Sequence, residues 1–330
     1  MLMAHMDTIR LSLLFFVIFL AAGCASLNNT VAESARFEEV LRHPSVITLP
    51  YKAQKDGLIL VENIGINDEN MTFALDTGAT HSAIFNAGLQ RLNLEPVPDK
   101  NVVVHGMIES GSRDVIVAPN LTIGAKNFGQ TPLVVLADRD LGAISWQSYD
   151  GIIGMDVLAN YKLYFSKDAE HLKFIPDSIE VSVPNQWRRV KLTDVRFKNS
   201  QNILHTMDID LVGKPIPALL DTGAEFSVIN WEAIENSELK DIKRRLKLDW
   251  HAQGAVGTFS PTSKVSIDKF RGGQIYWDNK DFVVMELNDI EALGARRAGF
   301  AIAGMNLLWD ETLLIDFNSN YIAMKPRLSK

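Results

Sequence analysis

The sequence predicts an all-β protein of two homologous lobes, each a β-barrel, with a functional site in the cleft between them. Residues 73–84 read FALDTGATHSAI and residues 218–229 read ALLDTGAEFSVI, so the turn Asp-Thr-Gly-Ala occurs twice with matching neighbours. Each copy follows β-branched and aliphatic runs that are interrupted by turn residues, which is typical of a strand–turn–strand hairpin. The duplication therefore predicts the same β fold in both halves.

Further elements repeat in the same order after each Asp turn. The repeated elements are a leading hairpin (58–76 and 203–221), a glycine-bearing β segment (102–118 and 251–267), an apolar glycine signature (149–158 and 300–308) and a closing hairpin (162–176 and 312–326). Asp76 precedes Gly154 by 78 residues and Asp221 precedes Gly304 by 83, so the second half has about five extra residues, which we place in a loop. Little helix is expected beyond the segments after the glycine signatures and one short helix before Pro44.

The repeat divides the chain into five predicted regions. They are a signal peptide (1–23), a tether (24–45), an N-terminal lobe (46–176), a linker (177–188) and a C-terminal lobe (189–326).

Composition excludes several classes of function. The chain has 330 residues, is 47% hydrophobic and 22% charged, and carries a net charge of −7 without a basic block. A nucleic-acid partner is therefore not expected. The single cysteine, Cys24, excludes an intrachain disulfide framework and a cysteine-rich metal site. The seven histidines show no ligand spacing, so we assign neither a metal nor a cofactor.

The N-terminus carries an export signal. Residues 11–22 read LSLLFFVIFLAA, an apolar run that is short for a membrane span and typical of a signal peptide. The following Leu-Ala-Ala-Gly-Cys resembles a bacterial lipobox, which predicts lipidation of Cys24. The residue after Cys24 is Ala25 and not an Asp. In bacterial lipoproteins this implies sorting to the outer membrane, facing the periplasm. The alternative is an ordinary signal anchor in which this cysteine is incidental.

Each half resembles a subunit of the retropepsin-like aspartic proteases. The resemblance rests on Asp-Thr-Gly-Ala after an apolar strand, together with the later Ile-Ile-Gly at 152–154 and Ile-Ala-Gly at 302–304. It covers roughly residues 46–326, with two unequal halves in tandem as in the bilobal pepsin-like arrangement. It implies an aspartic endopeptidase that holds an extended polypeptide in the cleft and acts as a monomer, because one chain carries both Asp turns.

The resemblance implies that Asp76 and Asp221 are the catalytic residues. Two carboxylates about 3 Å apart cannot both ionise, so the pair keeps one proton and titrates as a unit. The ionised member acts as general base on a water molecule, and the protonated member donates a hydrogen bond to the scissile carbonyl.

The resemblance also assigns supporting residues around the pair. Threonines brace the turns across the interface, and glycines permit close backbone approach; these residues are Thr77, Gly78, Gly154, Thr222, Gly223 and Gly304. The flap candidates, which would close over the substrate, are His105, Gly106, Met107, Val256 and Gly257. Ala79 and Ala224 stand where pepsin-like enzymes often have serine, so we expect a pH optimum of about 5–7.

A second hypothesis remains open at this point. A fold can persist after its activity is lost, so the chain could instead be an inactive retropepsin-like lipoprotein of the cell envelope that binds peptides or proteins.

Overall fold

Strands account for most of the regular structure in the computed structural model. It describes residues 30–53, 58–105, 110–137, 149–166, 171–196, 201, 203–211, 213–236, 239–241, 246–247, 250–253, 259–287, 299–308 and 311–326. The signal peptide and Cys24 lie outside these residues. No helix within them is long and apolar enough to cross a membrane.

The strands of the first half are β1 (Ile47–Ala53), β2 (Ile59–Ile66), β3 (Glu69–Leu75), β4 (Ala83–Phe85), β5 (Asn101–His105), β6 (Ser110–Ile123), β7 (Lys126–Leu136), β8 (Gly151–Ile153), β9 (Tyr161–Ser166) and β10 (His171–Pro176). Those of the second half are β11 (Arg188–Val195), β12 (Leu204–Leu211), β13 (Lys214–Leu220), β14 (Ser227–Asn230), β15 (Trp250–Gln253), β16 (Phe259–Gly272), β17 (Ile275–Met285), β18 (Ala301–Ala303), β19 (Leu313–Asp316) and β20 (Tyr321–Met324). The α-helices within the described residues are α1 (30–41), α2 (Asn86–Leu92), α3 (Met155–Leu158), α4 (Trp231–Glu235) and α5 (Met305–Leu308).

Each half closes into a six-stranded barrel. In the N-terminal lobe the hydrogen-bonded cycle runs β2–β3–β8–β4–β7–β6 and returns to β2. In the C-terminal lobe the cycle β12–β13–β18–β14–β17–β16 returns to β12 in the same way. The second and third strands of each cycle are parallel, β3–β8 and β13–β18, and so are the fourth and fifth, β4–β7 and β14–β17. The predicted fold class, all-β with two homologous barrels, is confirmed.

The predicted hairpins owe their tight connections to local chemistry. Asn67 and Asp68 have φ of 50° and 66° between β2 and β3, a left-handed conformation that these residue types tolerate. Gly213, with φ of 85°, serves the same purpose between β12 and β13. The turns bring each second strand back along the first and direct it toward the Asp turn.

The described part of the chain has little helix, as expected, but two short helices were not predicted. Helices α2 and α4 follow β4 and β14, respectively, at equivalent places in the two lobes. The side chain of Asn230 caps α4 by accepting a hydrogen bond from the backbone N–H of Ala233 at 3.0 Å. This cap sits directly before the helix and was available in the sequence.

A six-stranded sheet joins the two lobes. Its order is β1–β10–β9–β19–β20–β11, and the lobes meet where Leu163 pairs with Ile315 and Tyr164 with Leu314. Because side chains alternate across a strand, Leu163 and Ile315 enter the main core while Tyr164 and Leu314 enter a separate cluster on the other face. The sheet thus joins the two lobes, with the main core on one face and the second cluster on the other.

Helix α1 covers the second face of this sheet. Phe37 is 4% exposed and its ring makes edge contacts with Tyr164 at 5.7 Å and Trp187 at 5.2 Å between centroids. The Glu33 carboxylate accepts hydrogen bonds from the backbone N–H and the side-chain amide of Asn185 at 3.0 and 2.6 Å. The part of the predicted tether that forms α1 is therefore packed against the underside of the inter-lobe sheet.

Candidate active site

The two Asp turns meet at the interface between the barrels. Strand β3 ends at Leu75, and the backbone N–H of Asp76 donates to the carbonyl of Ile153 at 3.0 Å. Strand β13 ends at Leu220, and the backbone N–H of Asp221 donates to the carbonyl of Ala303 at 3.1 Å. Each turn is thus attached to the short strand of its own glycine signature.

The two carboxyl groups face each other. Gly78 lies against the Asp221 carboxyl group and Gly223 lies against the Asp76 carboxyl group, so both carboxyl groups sit at the contact between the two turns. Asp76 also accepts a hydrogen bond at 2.9 Å on Oδ1 from the backbone N–H of Gly78, and Asp221 accepts one at 2.9 Å from that of Gly223. Both Asp residues are half-buried, so protein surrounds them on most sides while solvent still reaches them.

Burial is the main electrostatic influence on this pair. It raises the pKa of Asp76 well above its ordinary value of 3.8, and the charge of Asp221 and their mutual hydrogen bond raise it further. Burial also raises the pKa of Asp221, against the hydrogen bonds from Gly223, Asp76 and Ala224 that lower it. Because the groups are this close, they titrate as a unit that retains one proton in a range where isolated carboxyl groups are ionised.

Two buried threonines lock the turns together by reciprocal hydrogen bonds. The hydroxyl of Thr77 donates to the Leu220 carbonyl at 2.9 Å and accepts from the backbone N–H of Thr222 at 3.1 Å. The hydroxyl of Thr222 donates to the Leu75 carbonyl at 2.8 Å and accepts from the backbone N–H of Thr77 at 3.1 Å. With exposures of 1% and 0%, these groups have no water to replace a lost partner.

The glycine of each turn lies against the opposite carboxyl group. A Cβ at Gly78 would stand 2.5 Å from Cγ of Asp221, and one at Gly223 would stand 2.5 Å from Cγ of Asp76. Contacts this short do not occur, so any side chain here would push the two carboxyl groups apart.

The later glycines support the turns from behind. A Cβ at Gly154 would lie 2.6 Å from the backbone carbon of His81, and one at Gly304 would lie 2.7 Å from the carbonyl oxygen of Phe226. The residue after Gly154 also holds the turn, because the backbone N–H of Met155 donates a hydrogen bond to the Ala79 carbonyl at 2.9 Å.

Sequence comparison agrees with this geometry. The sequence model described as aspartyl protease matches residues 63–157 and 207–299, which together make up more than half of the chain. The chain belongs to the aspartyl protease family. Each matched stretch contains one Asp turn.

The fold is also similar to those of solved structures. A retropepsin-like aspartic protease from Rickettsia conorii is 18% identical, covering 39% of this chain and 89% of its own, with a TM-score of 0.27. Basic 7S globulin from soybean is 9% identical, covering 84% of this chain and 94% of its own, with a TM-score of 0.48. The comparison with curated proteins found no match.

This family member has a further buried layer that the sequence analysis did not assign. Ser82 hydrogen-bonds Asp156 through both its N–H and its hydroxyl, at 2.9 and 2.7 Å. Ser227 bonds Asn306 in the same way, at 2.8 and 2.7 Å. The signal lay in the repeat itself, where Ser follows each Asp turn at the same offset and Asp or Asn follows each Gly-Met pair.

The structure describes the paired strands on either side of the predicted flap candidates. Strands β5 and β6 pair up to His105 and Ser110, whose Nδ1 and Oγ atoms are hydrogen-bonded at 2.8 Å. Strands β15 and β16 form the equivalent hairpin in the other lobe. The remaining flap candidates, Gly106, Met107, Val256 and Gly257, lie outside the described residues.

The described part of this aspartyl protease homologue holds no group of three or more His, Cys, Asp or Glu side chains placed to share a metal ion.

Proposed function

We propose that the chain is an aspartic endopeptidase that hydrolyses a peptide bond with water activated between Asp76 and Asp221. The observation that carries the proposal is the close approach of the two Asp turns, in which each glycine lies against the opposite carboxyl group and each threonine hydrogen-bonds across the interface. One shared proton makes the pair an acid and a base at once.

The chemistry proceeds without a covalent intermediate. The ionised carboxylate takes a proton from water as the water oxygen attacks the scissile carbonyl carbon, and the protonated carboxyl group donates to the carbonyl oxygen as it gains charge. The C–N bond then breaks as the leaving nitrogen receives a proton from the pair. The products are a carboxylic acid and an amine, which exchange a proton to become a carboxylate and an ammonium group, and the pair again carries one proton.

The proposed substrate is an extended polypeptide. The site lies between two barrels. In each half of the sequence a pair of strands, β5–β6 or β15–β16, comes after the Asp turn and can form a hairpin. Hairpins can pair with an extended backbone and close over it. The remaining flap candidates would form the tips that do so.

The proposed location is the bacterial cell envelope, with Cys24 lipidated and the protein anchored in the outer membrane, facing the periplasm. The support is the lipobox-like sequence before Cys24. The protein is proposed to act as a monomer, because one chain supplies both Asp turns.

Cleavage of a diverse peptide library by residues 25–330, from pH 3 to pH 8, tests this function. We expect new N-termini from the parent and none from Asp76→Asn or Asp221→Asn, with an optimum at about pH 5–7. Cuts that survive either substitution would contradict the mechanism, and an optimum below about pH 3 would contradict the pH argument. Peptide binding without cleavage would favour the inactive, peptide-binding alternative.

A further inference from the structure

The supports behind the two Asp turns are equal in geometry and unequal in charge. In both lobes a side-chain oxygen accepts from the N–H and the hydroxyl of a serine, and the serine oxygen accepts from the glycine N–H of the signature at 3.0 Å. That oxygen belongs to a carboxyl group in the N-terminal lobe, Asp156, and to an amide in the C-terminal lobe, Asn306.

The amide in the C-terminal lobe uses its second atom as a donor. Nδ2 of Asn306 donates to the carbonyl of Asp281 at 2.7 Å. Cationic groups are also close, since Nζ of Lys280 donates to the Asn306 carbonyl at 2.8 Å and Lys264 pairs with the Asp281 side chain at 2.7 Å. A neutral side chain thus suffices for the serine contact, and the carboxyl group at Asp156 is not required by the fold alone.

The carboxyl group in the N-terminal lobe is held through its Oδ1 atom. Oδ1 of Asp156 accepts from Ser82 and from the backbone N–H of Val157 at 3.1 Å. Among the described residues, His81 is the titratable group whose charge acts on it, and that charge lowers the pKa of Asp156. Burial outweighs these effects and raises the pKa above 3.8. The group therefore gains its charge at a higher pH than an exposed carboxyl group does.

The path from this group to the Asp pair is short. Asp156 holds Ser82, and the Ser82 oxygen holds Gly154. The next backbone N–H, that of Met155, donates to the carbonyl of Ala79 in the turn that carries Asp76. A charge at Asp156 thus acts on the pair from behind one turn only.

We propose that Asp156 is a positioning residue whose negative charge, held behind the N-terminal Asp turn by Ser82, extends the activity of the proposed enzyme toward neutral pH. The inference rests on the proposed function. An ionised Asp156 makes it harder for the pair to lose its shared proton, because a nearby negative charge favours the protonated form. The alkaline limb of the pH profile, where that proton is lost, consequently moves to higher pH.

The matched substitutions are Asp156→Asn and Asn306→Asp. Asp156→Asn gives the N-terminal lobe the side chain that the C-terminal lobe already accommodates, so it should fold. We expect it to move the alkaline limb of kcat/KM down by about half a pH unit, as for one unit charge removed near the pair but not in contact with it. Asn306→Asp should move the limb up by a similar amount. The exchange of both residues should bring it back toward the parent value.

Stability provides a second readout that does not need activity. A folded-state pKa above the unfolded value makes Asp156 stabilising below about pH 4 and progressively less so as the pH rises through the folded pKa. Asp156→Asn should therefore gain stability relative to the parent between pH 4 and pH 7 in denaturant unfolding.

The outcomes separate this inference from the proposed function. An unmoved alkaline limb in both active single variants would overturn the role of Asp156 and leave the endopeptidase intact. Absence of cleavage by the parent would reject the endopeptidase instead. In that case a stability difference between the parent and Asp156→Asn that stays constant from pH 4 to pH 7 would show that burial does not raise the pKa of Asp156 in the folded protein.

Discussion

In the N-terminal lobe His81 follows the Asp turn, whereas Phe226 takes the same place in the C-terminal lobe, with Nζ of Lys264 at 5.8 Å from its ring. Asp156 in the N-terminal lobe likewise corresponds to Asn306 in the C-terminal lobe. The floor of the site, which the two Asp-Thr-Gly turns form, shows no such divergence. Every hydrogen bond of one turn has its counterpart in the other.

The contrast separates two requirements. Sharing a proton needs two carboxyl groups in nearly equal surroundings, and this keeps the floor symmetric. Residues beyond these turns, such as His81 and Phe226, take no part in that proton sharing, and a single chain can change each of them independently. A homodimer could not, since one sequence would supply both halves.

The sharpest challenge to the symmetric floor is a side chain at its glycines. Gly78→Ala and Gly223→Ala each place a Cβ 2.5 Å from the opposite Asp carbon. We expect kcat/KM to fall by about 100-fold or more in both, because separating the reacting groups by about 1 Å is enough for such a loss. Gly129→Ala is a control for mutation elsewhere on the barrel, since a Cβ there meets no atom within 4 Å and only its φ of 70° is unfavourable. Full activity in either floor variant would contradict the close approach.

The threonine brace tests whether the lobes depend on each other equally. Thr77→Ala and Thr222→Ala each leave a buried N–H and a buried carbonyl of the other lobe without a partner. Each should lower the free energy of unfolding by about 1–3 kcal/mol in denaturant titration. The matched variants Thr77→Ser and Thr222→Ser keep the hydroxyl and should recover most of the loss. If only one of the two alanine variants lost stability, the threonine hydrogen bonds would not support the two lobes reciprocally.

A smaller effect is expected in the pH dependence of stability, and it comes from Asp76 and Asp221. Because the folded-state pKa of Asp76 and Asp221 is raised, the pair stabilises the fold below about pH 4 and loses that contribution as the pH rises through the folded pKa. In denaturant titrations between pH 4 and pH 7, the parent should lose stability relative to the double variant Asp76→Asn/Asp221→Asn. Parallel curves for the two proteins would mean that the carboxyl groups are not perturbed.

Local features of this chain could be predicted from its sequence because they depend on neighbouring residues. The apolar run before each Asp-Thr-Gly-Ala, the turn residues of the hairpins and the spacing to each glycine signature are all short-range patterns. They led to the two barrels and to the placement of Asp76 and Asp221 in turns that follow a strand.

Long-range pairings could not be predicted in the same way. The barrels close through β2–β6 and β12–β16, and the lobes join through β9–β19, whose register depends on the packing of distant strands. Ser82 and Asp156 are 74 residues apart, so their contact appears only once the barrel is formed. The docking of α1 beneath the inter-lobe sheet was missed for the same reason, since its polar sequence is also typical of a tether.

The most direct test of the account is a double-mutant cycle on kcat/KM with the parent, Asp76→Asn, Asp221→Asn and the double variant. If the carboxyl groups act as one unit, each single substitution lowers kcat/KM by about 1,000-fold or more, and the double variant loses little beyond that. Losses that multiply, or one single variant that keeps most of the parent activity, would contradict a shared catalytic pair.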